Sequence, residues 1–104
     1  MLADFAVGDG CVVFSVHDIP DEELLEICLL VNGEIADRVS LAFPAWSDGG
    51  IAPERGGESV FTFEFPQGRA WRLEVAAAAR IVWPRPGVHR DGRWRSRLVL
   101  SRQG

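Results

Sequence analysis

The sequence predicts an all-β domain, an antiparallel β-sandwich of seven or eight strands, on three observations. Apolar and polar residues alternate with period two through most of the chain, as half-buried strands require. Gly, Pro, Asn and Asp punctuate those runs at short intervals. Aromatic residues recur at inward positions in both halves, so two sheets would each have an apolar face to bury against the other. At 104 residues, with 47 % hydrophobic and 25 % charged content, the chain has the size and usage of a single domain, residues 1–104, that folds alone.

Residues 3–7 and 11–17 read as two strands joined by Gly8-Asp9-Gly10. The second carries apolar residues on both faces, which predicts a central strand. Two chemistries compete over residues 20–31. Pro20 followed by Asp21-Glu22-Glu23 suits the first turn of a helix, with Gly33 as its C-cap. Asn32-Gly33, between residues 24–31 and 34–43, is the strongest two-residue hairpin signal. The strands are preferred; one helix near residues 20–31, giving an α+β fold, is the alternative. From 44 to 58, Pro44, Gly49, Gly50, Pro53, Gly56 and Gly57 break any pattern, predicting a long loop that carries Trp46 and Ile51.

The clearest local signal is a hairpin: residues 60–65 and 69–75 alternate strictly on either side of Pro66-Gln67-Gly68. A three-residue turn sets Phe63 opposite Trp71 and Phe61 opposite Leu73, leaving Thr62, Glu64, Arg72 and Glu74 on the other face. The stripe Trp71, Leu73, Val75, Ala77, Ala79, Ile81 and Trp83 continues the core-facing parity. So long a strand predicts a bend or bulge near Ala76 to Ala79 that carries the chain from one sheet to the other. A turn-rich loop over residues 84–92 follows. Alternation then resumes at residues 93–100, with Trp94, Leu98 and Leu100 inward and Arg93, Arg95 and Arg97 outward. Strand number and patterning suggest immunoglobulin-like or related Greek-key connectivity, although the Cys, Trp, Cys spacing of immunoglobulin domains is absent.

The chemistry-bearing residues are few. Cys11 and Cys28 read as buried apolar thiols. His17 and His89 with two separated cysteines make no metal-ligand pattern, so neither metal nor other cofactor is expected. Gly8-Asp9-Gly10 and Gly49-Gly50 lack the context of a phosphate-binding loop. An enzyme would have to use His89 or His17 with acids assembled by the fold, which ranks last; the chain is expected not to be one. No basic segment precedes an apolar run at the start and no run reaches spanning length, so the expectation is a cytoplasmic protein with no membrane partner.

What stands out is the charge. Residues 1–79 hold 14 acids against 4 arginines, a net of −10, whereas residues 80–104 hold 7 arginines against Asp91 alone, a net of +6, giving −4 for the whole. The basic end therefore either pairs with the protein's own acidic surface or reaches an external anion. Arg85, His89, Arg90, Arg93, Arg95 and Arg97, with Trp46 of the Gly-rich loop, are the candidate contact residues. The functional expectation is a non-catalytic protein-binding or assembly module, its partner a protein with an acidic surface or a second copy of the chain. The alternatives are a nucleic-acid-binding domain using the same arginine row and an acidic inhibitor of a nucleic-acid enzyme, in which residues 18–26 mimic backbone charge.

Overall fold

The computed structural model describes residues 3–19, 22–43, 53–65, 69–82, 88–90 and 95–102. Among them nine strands occur: β1 (Ala3–Val7), β2 (Gly10–Ile19), β3 (Glu22–Val31), β4 (Glu34–Phe43), β5 (Glu54–Arg55), β6 (Val60–Glu64), β7 (Ala70–Ile81), β8 (Val88–Arg90) and β9 (Arg95–Arg102). One sheet has the order β1-β2-β3-β4-β8 and the other β5-β6-β7-β9, with every pairing antiparallel. The two pack face to face as a β-sandwich. There is no helix among the described residues, and so none long and apolar enough to cross a membrane.

The first four strands form a meander whose turns follow local chemistry. Gly8 turns β1 into β2 with φ 48°. Asn32 and Gly33 adopt φ 55° and 79°, the pair of positive values that a type I′ hairpin needs, so residues 22–31 are strand and the helical alternative does not form. Gly10 is required for a different reason: a Cβ there would collide with the Leu30 carbonyl oxygen across the β2–β3 ladder. Gly10→Ala must push the two backbones apart, and we expect it to cost on the order of 3 kcal/mol in urea unfolding. A loss below about 0.5 kcal/mol, the scatter of innocuous surface changes, would refute that close approach.

Inward alternation from both sheets builds the core. The first sheet contributes Val7, Val12, Phe14, Leu25, Ile27, Leu29, Val39 and Leu41, and the second Phe61, Phe63, Phe65, Trp71, Leu73, Val75, Leu98 and Leu100. The 60–75 hairpin has the expected register, Phe63 on Trp71 and Phe61 on Leu73. Buried Trp71 donates its indole N–H to the Phe65 carbonyl at 2.7 Å, so its polar atom does not oppose burial. β2 lies between β1 and β3, the central place that its two-sided apolar pattern predicts.

Four expectations need correction. The chain does not change sheets at the alanine run: β7 pairs with β9 on both sides of it, Val75 with Leu98 and Arg80 with Ser96. Residues 76–79 therefore oppose Arg97 alone, and this odd excess of β7 residues reverses the facing of the rest of the strand. Ala77, Ala79 and Ile81 point to solvent, Ile81 at 61 % exposure, while Ala76 and Val82 turn inward. Second, residues 88–90, read as loop, are β8, held by Val39, Ser40 and Leu41. Third, Glu54 and Arg55, also read as loop, form the short edge strand β5 on β6. Fourth, Cys11 and Cys28 are partly exposed thiols, not joined in a disulfide, on the outer side of the five-stranded sheet, because their neighbours Val12, Ile27 and Leu29 take the inward parity.

Candidate functional site

Of the candidate contact residues, Arg85, Arg93 and Trp46 lie outside the described residues. The structure places His89 and Arg90 on β8, and Arg95 and Arg97 on β9. Alternation separates His89 from Arg90, and contacts separate Arg95 from Arg97, which share a face. His89 pairs with Ser40 and is exposed on the outer face of the five-stranded sheet, and Arg95 is exposed on the other sheet. Arg90 and Arg97 instead serve the fold. Arg97 Nε donates to the Ala76 carbonyl at 2.7 Å, satisfying an acceptor within the β7 bulge, and its guanidinium stands 3.4 Å from Asp9. With its side chain 22 % exposed, Arg97 bridges the two sheets at the β1–β2 turn. Arg90 Nη1 donates to Ser96 Oγ and to the Leu98 carbonyl, each at 2.8 Å, joining β8 to β9.

These arginines surround a polar node that no motif marks. Asp37 of β4 is buried at 7 % exposure and Ser96 of β9 at 2 %. Asp37 Oδ2 accepts from the Ser96 hydroxyl, from Arg97 N at 2.7 Å and from Leu98 N at 3.3 Å, while Oδ1 accepts from Arg38 N at 2.8 Å. Ser96 Oγ, donating to Asp37, accepts from Arg90 and from Leu98 N at 3.1 Å, which uses its one hydrogen and both lone pairs. Among the described residues no buried side-chain polar atom lacks a partner. The carboxylate thus covers backbone N–H groups of β9 from the opposite sheet and closes that side of the sandwich. The period-two parity of Asp37 with Val39 and Leu41, and of Ser96 with Leu98 and Leu100, was the available sequence signal.

The other side is closed by an arginine as well. Arg55 of β5 donates to the Ala6 carbonyl of β1 at 2.5 Å and to the Glu58 carbonyl at 2.6 Å, and its Cζ lies 5.1 Å from the Phe61 ring centre. Arg80 meets Glu74 at 3.2 Å, and the Arg102 guanidinium lies 5.4 Å from the Trp71 ring centre. Much of the basic end is therefore answered within the fold, by Asp9, Glu74, carbonyls and an aromatic face.

The outer face of the five-stranded sheet is turned away from the core, and on it Cys28 Sγ donates to Glu26 Oε1 at 3.4 Å. Its outward residues fall into rows across the strands. Ala6, Cys11, Leu30 and Ile35 form one row; Asp4, Val13, Cys28 and Arg38 form the next; Ser15, Glu26, Ser40 and His89 form a third. Ile35 reaches this face through a bulge. Leu29 pairs with Asp37 but Leu30 with Ile35, so Ala36 is an extra residue that turns Asp37 inward and Ile35 outward, at 57 % exposure. Ala6, Cys11, Leu30, Ile35, Val13 and Cys28 form a contiguous apolar area two rows deep, with Asp4 and Arg38 at opposite ends of the second row.

Among the described residues no three His, Cys, Asp or Glu side chains form a metal-binding group. The chain matches no family model, and comparisons with curated proteins and with solved structures give no match.

Proposed function

We propose that this chain is a non-catalytic protein-binding and assembly module, and that its contact surface is the outer face of the five-stranded sheet. The observation that carries the proposal is the contiguous apolar area from Ala6 to Ile35 on a face that a solvated sheet would line with polar side chains. His89, from the arginine-rich end, adds a polar group to the third row of the same face. The commitment of Arg90 and Arg97 to internal acceptors favours this reading over a nucleic-acid interface, because a phosphate-tracking row needs its cations available to the ligand.

The test is affinity capture from lysate, with and without nuclease, using wild type, a Val13→Glu/Leu30→Glu variant and an Arg93→Glu/Arg95→Glu variant. Circular dichroism would first establish that each is folded. The expected result is a protein captured by wild type and by the arginine variant and lost from the outer-face variant. Capture lost only in the arginine variant would move the contact to the C-terminal end, and capture abolished by nuclease would replace the proposal with nucleic-acid binding.

A further inference from the structure

We infer that Arg55 is an edge guard, a side chain that keeps β1 from pairing edge to edge with β1 of a second copy. Among the described residues the two sheets present four edges, β1 and β8 on one, β5 and β9 on the other. An unpaired edge is a template for another strand, and folds blunt it by shortness, by charge or by a cover. β5 and β8 are two and three residues long, too short to hold a partner. β9 is covered at Leu98, whose N–H meets Asp37 and Ser96 and whose carbonyl meets Arg90. β1 runs five residues, and the cover that the described residues supply to it is Arg55.

The hydrogen bond to Arg55 fixes which groups of β1 lie open. Arg55 Nη2 reaches the Ala6 carbonyl from the second sheet, so that carbonyl points away from β2, and the period-two backbone sends the Ala6 N–H and both main-chain groups of Asp4 the same way. Those three groups make no hydrogen bond among the described residues. Antiparallel pairing of β1 with its own copy, Asp4 opposite Ala6 and Ala6 opposite Asp4, would use every one of them, each Asp4 both donating to and accepting from one Ala6. Phe5 would then lie on the two-fold axis opposite Phe5 of the copy, and no like charges would face each other. Arg55 stands in the way. Its guanidinium takes, at 2.5 Å, the Ala6 carbonyl that the copy's Asp4 N–H would need; the Glu58 carbonyl holds it at 2.6 Å, and it lies 5.9 Å from the Phe5 ring centre and 5.1 Å from that of Phe61. A second β1 would have to displace this cation or bury it, and burial without a counter-ion costs more than a few neutral ladder bonds return. The turn after β5, closed by Gly56 N–H on the Val60 carbonyl at 2.7 Å, keeps β5 on β6 and so holds Arg55 beside β1.

Sedimentation equilibrium of the purified chain over a concentration series tests the guard, with circular dichroism and thermal melts as the check on folding. Arg55→Ala removes the donors and the charge; Arg55→Leu removes both and keeps an apolar contact with the Phe5 and Phe61 rings. Each is expected to self-associate about tenfold or more tightly than wild type. Adding Ala6→Pro should return either variant to the wild-type level, because proline deletes the open N–H and its ring obstructs the edge, while the pairing of residue 6 with Cys11 loses no ladder bond. A folded variant that associates no more than wild type overturns the inference. Association that Ala6→Pro leaves unchanged also overturns it, since the contact would then lie away from the β1 edge. If neither variant folds, Arg55 is a clamp on the sandwich and the inference fails as well.

Discussion

Asp37→Ala is expected to remove about 3–5 kcal/mol of stability, the largest loss available from any polar residue described in this domain. The carboxylate accepts from Ser96 Oγ and from three backbone N–H groups, those of Arg38, Arg97 and Leu98. Desolvation of a buried charge opposes folding, but here it is offset by charge-assisted bonds from four donors. Alanine deletes the side-chain acceptor of Arg38 N and Arg97 N and leaves Leu98 N with Ser96 Oγ, so the loss of acceptors in a largely buried setting decides the sign. Asp37→Asn should fall between, because one amide oxygen remains while the amide hydrogens turn a donor towards donors. Ser96→Ala should cost less than Asp37→Ala, since the backbone bonds to Asp37 survive it. Urea unfolding of the three variants would measure this order. A loss under about 1 kcal/mol for Asp37→Ala would show that the node contributes little to the fold.

Phe14→Ala should be of similar size, about 3–5 kcal/mol, by a different mechanism. Phe14 is fully buried on β2, and its ring centre lies 6.0 Å from Phe5, 6.2 Å from Phe61 and 5.6 Å from Phe63, so one side chain ties the central strand to both its neighbour β1 and the opposite sheet. Truncation removes the transfer free energy of the ring and leaves a cavity that two stiff sheets cannot close. Its three edge-to-face partners add about 0.5–1.5 kcal/mol for each aromatic pair beyond area alone. Phe14→Leu, which refills most of the volume, should recover over half of the loss. Equal destabilisation by leucine and alanine would show that ring geometry outweighs cavity volume. The two predictions separate cleanly in space, because Phe14 closes the sandwich towards β1 and β6 while Asp37 closes it towards β8 and β9.

Much of this fold was legible because it is written in local chemistry. Strict alternation over residues 60–75 sets the hairpin register, as a slip of one residue would move every apolar side chain to solvent. Asn32-Gly33 decides between helix and strand for residues 22–31 because few other dipeptides take two consecutive positive φ values at so little cost. The misreadings cluster at bulges. Parity carried past Ala76 puts Ala77, Ala79 and Ile81 in the core, whereas the residues that β7 holds in excess against Arg97 turn them out. Short β5 and β8 escape notice since two or three residues display no period.

The candidate site was legible in its charge and not in its connections. Separation of a basic end from an acidic remainder is countable in the chain, but which arginines stay available depends on contacts between residues far apart in sequence. Arg97 reaches Ala76 and Asp9, and Arg90 reaches Ser96 and Leu98, only after β8 has crossed to one sheet and β9 to the other. Cys11 and Cys28 carry the same lesson: an apolar residue on a two-sided strand has no sequence mark that says which side is covered.

By itself, then, the sequence determined the all-β class, the meander of the first strands, the 60–75 hairpin and the reversal of charge, because each depends on propensity, period or composition within a short stretch. Tertiary structure alone decided that Asp37 is a buried closure, that the arginine row divides between fold and solvent, and that an apolar face remains outside. Those outcomes depend on which sheet each strand joins and on where a single extra residue reverses its facing, and neither quantity exists until the two sheets have packed.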